Sequence, residues 1–438
     1  MKQKDNENLT NFYSQLFHNY STIKFNMINA ELLFYILITI IIVNFIFDKL
    51  LSFLNAKHFA DALPEEVADV YDEEEYKKSQ LYKKKNFKFG LITSTFSIVL
   101  TIAFFLLDGF RIVDEYARSF SSNSILISLM FFGVIMIGSD ILTTPFSYYK
   151  TFVIEEKFGF NKTTKKLFWL DKLKGLLMTA IIGGAILSLV VWFYNITGNL
   201  FWIYTWVLIA VVTLFMNIFY STLIVPLFNK QTPLENGELK TQIETFASKV
   251  GFKLDKIFVI DGSKRSTKAN AYFAGFGKTK RIVLFDTLIN DLNTDEIVAV
   301  LAHEVGHYKR KHTIFNLIAS IILTGITLFI LSLLISNPLL SEALNTQPSF
   351  HIGLIAFGIL YSPISEITGL IMNYISRIFE YQADNYAKEH FASEPLITSL
   401  KKLSKNSLSN LTPHKAYVFM HYSHPTLRER IVNLMDKN

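Results

Sequence analysis

The stretch HEVGHYKRKHTIFNLIASIILTGITLFILSLLISN, residues 303–337, joins a polar motif to a run that carries no charge from 314 to 336. At about 1.5 Å per residue that run spans about 35 Å as a helix, enough to cross a hydrocarbon core of about 30 Å. It cannot be a loop, and its neighbours are read in its light. Six further runs of similar character lie at 32–47, 91–107, 125–142, 175–194, 201–219 and 352–373. Together the seven cover about a third of the chain. The composition agrees: 438 residues are 50% hydrophobic and 18% charged, with a mean hydropathy of +0.30. The first run follows a long polar stretch and lacks a small-residue cleavage pattern, so it is expected to remain as an anchor.

Charge sets the expected orientation. Lys and Arg are plentiful at 48–90, 143–174, 220–313 and after 373, and absent from 195–200 and 337–351. Between 108 and 124 only Arg111 and Arg118 occur. The positive-inside rule then predicts an external N-terminus, a cytosolic C-terminus and an odd number of spans. The net charge of +6 is spread over these loops, which argues against a nucleic-acid partner. Within 72–85, DEEEYKKSQLYKKK reads as a solvated helix with Glu73–Lys77 and Glu74–Lys78 pairs.

The expected organisation is an external tail at 1–30, five transmembrane helices within 31–225 and a small folded domain carrying HEVGH at 226–313. Two more spans follow within 314–376, and then a cytosolic part, 377–438. Inside 226–313 the pattern predicts a helix over 234–250. Strands follow at 256–260 (KIFVI), 270–276 (NAYFAGF) and 281–285 (RIVLF), the last two joined by a turn at GKTK, 277–280. A second helix starts near Asn293, where Glu296 three residues on suggests a capping box, and Ile297, Val298, Val300 and Leu301 supply its apolar face.

That helix carries HEVGH. His303 and His307, four residues apart, share a face and can reach one ion. With no cysteine in the chain, a metal must be held by His, Asp or Glu, and zinc suits this set. Glu304 beside it is placed to act as general base on water. Spans six and seven have similar lengths, so the second returns SRIFEYQAD, 376–384, to the level of HEVGH. Glu380 and Asp384 are four apart; one can be the third ligand while the other orients a ligand imidazole, and spacing does not say which. HEVGH stands in a basic, polar setting before its span, which argues against an intramembrane site. Asp140 and Glu366 lie inside spans and are expected to face the bundle interior or water.

Ordered matches run along most of the chain: YKKSQLYKKKNFKFG (76–90), TFVIEEKFGFNKTT (151–164), PLFNKQTPLENGELK (226–240), SKRSTKANAYFAGFGKTKRIVLFDTLI (263–289), HEVGH, FEYQAD and HYSHPTLRER (421–430). In these the chain resembles the type I CAAX prenyl endopeptidases, integral-membrane zinc metalloproteases that cleave isoprenylated CAAX proteins. The resemblance implies an α-helical multi-pass membrane protein whose seven transmembrane helices enclose a water-filled chamber, with a small α+β zinc-protease domain on the cytosolic face. It implies one Zn2+ per chain on His303, His307 and Glu380, with Asp384 behind a ligand and Glu304 as base. It also gives His424 and Arg430 a part in contacting the substrate carbonyl or organising the metal site. The implied partners are the lipid bilayer and a peptide or protein isoprenylated at its C-terminus, in a bacterial inner membrane or an endoplasmic reticulum membrane. The C-terminus, NLMDKN, departs from the basic retrieval signal of some relatives. The strand at 270–276 suits backbone pairing with an extended substrate, through Asn270 and Ala271. The alternatives are a general quality-control metalloprotease and a non-catalytic membrane scaffold.

Overall fold

A computed structural model describes residues 29–252, 254, 256–274 and 281–436. The expected tail up to residue 28 and the GKTK turn lie outside the described residues. Among those described, six helical stretches are long and apolar enough to cross a membrane: Ala30–Lys57, Glu73–Leu106, Ser124–Glu155, Lys165–Phe228, His312–Leu334 and Phe350–His390. They take in the seven expected apolar runs except for residue 107 of the second and residues 335–336 of the sixth, because the fourth stretch holds two. Its 64 residues would reach about 96 Å if straight, three times the hydrocarbon thickness. The chain reverses at Gly198, where φ is 53° and ψ −127°, a conformation that glycine adopts without a Cβ penalty. The arms Gly184–Thr197 and Phe201–Phe219 lie against each other, with the rings of Phe193 and Tyr204 at 5.7 Å.

Polar groups inside the spans are handled by pairing or exposure. Asp140 takes the ammonium of Lys172, on the neighbouring helix, at 2.6 Å, whereas Glu366 is exposed. The charged run before the second span is helical from Glu73, capped by Asp72 and Glu75. Of its two expected pairs Glu73–Lys77 forms, at 2.5 Å. No ion pair joins the exposed Glu74 and Lys78 among the described residues.

The sheet has four strands in the order β1-β2-β4-β3: β1 Gln231–Pro233, β2 Lys256–Ile260, β3 Ala271–Ala274 and β4 Arg281–Phe285. β1 and β3 run antiparallel to their neighbours, while β2 and β4 are parallel, with Lys256 opposite Arg281. β4 is central, and its Ile282, Val283 and Leu284 are buried, as a strand covered on both faces requires. Two expectations shift. The helix predicted over 234–250 is Glu238–Lys249, because Gln231–Pro233 is drawn into pairing with β2 and the chain must turn before a helix can start. β3 begins at Ala271, because the side-chain oxygen of Asn270 accepts from its neighbour's N–H at 2.8 Å, a local bond that competes with strand pairing.

The hydrophobic core beneath the HEVGH helix is not confined to 226–313. It unites Val67 and Tyr71, Ile154 and Phe158, Ile243, Leu284, Ile297 and Leu301 with Leu396, Ile431 and Leu434. Loops between spans and the last helix, Leu427–Met435, therefore belong to the same folded unit. The HEVGH helix, Thr294–Lys309, opens with the expected capping box: Asn293 Oδ1 accepts from the Glu296 N–H at 2.9 Å and Glu296 Oε2 from the Asn293 N–H at 2.9 Å. Glu296 is itself buried and paired with Lys402 at 2.8 Å. Replacing Asn293→Ala is expected to cost about 1 kcal/mol, read as a lowered thermal melting midpoint of the detergent-solubilised protein; an unchanged midpoint would show that the cap is not limiting.

Candidate metal centre

Two helices build the centre. HEVGH lies in the last turns of Thr294–Lys309, and the long helix Phe350–His390 crosses it about two turns beyond its apolar part, which ends near Asn373. Contact is through Gly306: a Cβ there would come within 3.0 Å of Ala383 Cα and 3.0 Å of Tyr386 Cβ. Only a residue without a side chain lets the backbones approach so closely, which is why a glycine is kept inside a helix despite a cost of about 1 kcal/mol relative to alanine.

That approach gathers His303, His307 and Glu380, whose ligand atoms all lie within 4.8 Å of one another. His303 Nε2 and His307 Nε2 are 3.1 Å apart. Glu380 Oε2 is 3.5 Å from His303 Nε2, and Oε1 is 3.3 Å from His307 Nε2. Glu380 Oε2 is buried and has no hydrogen-bond partner. A buried carboxylate oxygen with no hydrogen bond, its one guanidinium neighbour held off at 3.5 Å, leaves room beside two converging imidazole nitrogens for a cation. The donor set therefore fits a metal ion, with one carboxylate and two histidines leaving a further coordination position free.

The outer nitrogens are held as firmly. His303 Nδ1 meets Asp384 Oδ1 at 2.8 Å, and an N–H donated to that carboxylate leaves the Nε2 lone pair facing the metal position. Asp384 is fully buried and receives two bonds from Arg430, Nε to Oδ2 at 2.9 Å and a terminal nitrogen to Oδ1 at 2.6 Å. His307 Nδ1 lies 3.0 Å from His312 Nδ1, and His312 Nε2 lies 2.9 Å from Gln382 Oε1. Since His307 can only donate from Nδ1 when Nε2 faces the metal, His312 must accept there and donate from Nε2 to Gln382.

The electrostatics follow. Burial alone would raise the Glu380 carboxyl; the bond from His307 and the charges of His303, Arg430 and His424 outweigh it and pull it down to about 2. Burial also works against ionised Asp384, and Arg430 more than compensates, so its carboxyl is lowered. The same pair holds the Arg430 guanidinium above its ordinary value in spite of its burial.

Glu304 is half-buried next to His303, and its charge reaches Arg430. His424 Nε2 approaches Glu380 Oε1 at 3.3 Å with its side chain 61% exposed, so it stands at the open side of the centre. Ser423 Oγ lies 2.9 Å from its other nitrogen. Arg430 also comes within 3.5 Å of Glu380 Oε2. Asn270 and Ala271 make no hydrogen bond or ion pair with these residues among those described; they stand at the start of the edge strand β3, with the Asn270 carbonyl accepting from the Phe285 N–H at 3.1 Å.

Comparison with known proteins gives the wider setting. Residues 233–437 match peptidase family M48, and residues 52–230 match the CAAX prenyl protease N-terminal region of five membrane helices. A CAAX prenyl protease 1 homolog of Dictyostelium discoideum is 39% identical over 386 residues, covering 86% of this chain and 90% of that protein. The chain belongs to the CAAX prenyl protease 1 family of M48 peptidases. In the same family, CAAX prenyl protease 1 of Saccharomyces cerevisiae is 36% identical over 421 residues, 90% of this chain and 93% of that one. The crystal structure of S. mikatae Ste24p superposes with a TM-score of 0.88 at 36% identity, covering 92% of this chain and 99% of that one. The protein is a multi-pass membrane metalloprotease.

Sequence reasoning left three contributors unassigned: Gly306, His312 and Gln382. Gly306 could have been suspected as a glycine inside a capped, apolar helix. His312 and Gln382 had no such signal, because their partnership depends on how the two helices cross. Gly306→Ala is expected to force the helices apart and to lower metal content of the purified protein well below that of the wild type. Asp384→Asn is expected to weaken metal binding about 10- to 100-fold, measured by competition with a chelator; unchanged affinity would remove Asp384 from the support of His303.

Proposed function

We propose that this protein is a zinc endopeptidase that cleaves near the C-terminus of isoprenylated CAAX-type proteins, at the cytosolic face of its membrane. The observation that carries the reading is the group His303, His307 and Glu380, with a Glu380 Oε2 that makes no hydrogen bond and with Glu304 alongside. A tetrahedral zinc with bonds of about 2.0–2.2 Å separates its ligand atoms by about 3.3–3.6 Å. The spacings here are 3.1, 3.3 and 3.5 Å.

When bound, zinc supplies a Lewis acid that acidifies water and polarises a carbonyl. The protein's own groups do the rest. Glu304 takes the proton of the attacking water and hands it to the amine that leaves. His424, reaching the centre from its exposed side, and Arg430 offer N–H donors to the oxygen that becomes negative as the carbonyl turns tetrahedral. Asp384 keeps His303 in one tautomer, and Arg430 keeps Asp384 ionised. β3, at the edge of the sheet, offers its outward backbone groups to an extended substrate, with Asn270 and Ala271 marking its start; there the Asn270 carbonyl is held by the Phe285 N–H and the Ala271 N–H by the Asn270 side chain, which a substrate would have to displace.

Support for CAAX substrates comes from the names of the relatives, CAAX prenyl protease 1 and its homologs. Support for a membrane setting comes from the spans: in the apolar segments no more than 17% of residues are buried inside the protein, which leaves their apolar surface for lipid. The cytosolic placement rests on the basic loops that share a side with HEVGH.

Glu304→Gln is expected to retain zinc while hydrolysis falls about 10²- to 10⁴-fold, assayed by zinc content and peptide cleavage on the same preparation. Normal turnover by this variant would sink the mechanism. Cleavage of one CAAX peptide is expected to require its isoprenyl group; equal rates with and without it would favour a general membrane peptidase.

A further inference from the structure

Among the described residues, three buried side-chain polar atoms lack a hydrogen-bond partner: Glu380 Oε2, Thr205 Oγ1 and Lys83 Nζ. The first belongs to the metal centre. The second is a neutral hydroxyl in a span, and its cost is small beside that of a charge. The third is an ammonium on a residue only 7% exposed, and a buried cation without a partner calls for an anion.

Among the described residues no acidic side chain pairs with it. The Tyr76 ring lies 5.8 Å from Nζ. Glu155, near the adjacent Tyr82, is taken by the Tyr82 hydroxyl at 2.8 Å and by Lys268 at 3.3 Å. Asp48 is taken by Lys49 at 2.8 Å.

Lys83 lines a cavity of about 550 Å³ whose wall also includes Asn86, Asn410, Phe53, Phe87 and Leu91. Lys83, Phe87 and Leu91 are spaced by four on the helix Glu73–Leu106, so they form one stripe that runs from a charge to the start of the apolar run at 91. Six lysines, Lys77, Lys78, Lys83, Lys84, Lys85 and Lys88, crowd the twelve residues 77–88 just outside that run. A basic cluster beside a membrane helix is the pattern that attracts anionic headgroups.

We propose that Lys83 binds the phosphate of an anionic membrane phospholipid whose acyl chain follows Phe87 and Leu91 into the bilayer. A headgroup at this level explains why an ammonium is buried, where its partner comes from, and why the cavity is apolar beyond it.

The test uses the full chain, purified in detergent and titrated with phosphatidic acid by native mass spectrometry. One anionic phospholipid is expected to survive detergent exchange. Lys83→Met, which keeps the length and removes the charge, is expected to weaken phosphatidic acid binding about 10-fold. Lys84→Met, at an exposed neighbour, removes the same charge and should stay within about twofold of the wild type. Phe87→Trp fills the cavity without touching the ammonium and should reproduce the loss, which keeps the test informative if Lys83→Met does not fold. Equal effects of Lys83→Met and Lys84→Met would overturn the proposal in favour of diffuse charge attraction. Phosphatidylcholine binding as tightly as phosphatidic acid would overturn it as well. So would displacement of the lipid by millimolar inorganic phosphate, which would mark a site for a free anion.

Discussion

The backbone contact between Gly306 and Ala383 is the constraint on which the centre depends. Two histidines on one helix can face a common point by periodicity alone, but a third group to join them must come from elsewhere, and here Glu380 comes from a helix packed against the first. Glu380, one turn before Ala383's neighbour Asp384, is carried to the same height as His303 and His307 by that crossing. A methyl group at residue 306 would push the second helix back and draw Glu380 away from the two histidines.

Around this contact the charges are balanced in layers. Glu380 and Asp384 are two buried carboxylates, and Arg430 brings one buried guanidinium. With Glu380 and Asp384 lowered and Arg430 raised, the two carboxylates outnumber the one guanidinium. Arg430 is the hinge of this arrangement, since it ties Asp384 by two bonds and approaches Glu380 from the other side. Its position on the helix Leu427–Met435, packed into the core by Ile431 and Leu434, fixes it without recourse to a flexible surface loop.

Much of this was legible beforehand because the signals were local. The seven apolar runs, the Asn293 capping box and the strands at 256–260 and 281–285 each follow from periodicity or from side chains within a few residues of one another. HEVGH and the carboxylate pair at 380 and 384 were legible as motifs, and equal span lengths gave their meeting. Which carboxylate faces the ligand atoms was left to family resemblance; in the structure it is Glu380 that lies with them and Asp384 that lies behind His303. The short strand at 231–233 was missed since three residues carry no alternation to read. His312 and Gln382 were missed because they sit 70 residues apart and meet only through the helix crossing.

The shared core has a consequence for the life of the chain. His303 and Arg430 are 127 residues apart, and at a synthesis rate of about 5–20 residues per second the second follows the first by roughly 6–25 s. Until it emerges, Asp384 is a buried anion without its partner, and the last helix is missing from the hydrophobic layer under HEVGH. A ribosome-bound chain whose spans are already in the bilayer therefore has its motif but not its working centre. The centre is complete only once Arg430 has followed HEVGH out and the helix Leu427–Met435 has packed into the layer beneath it.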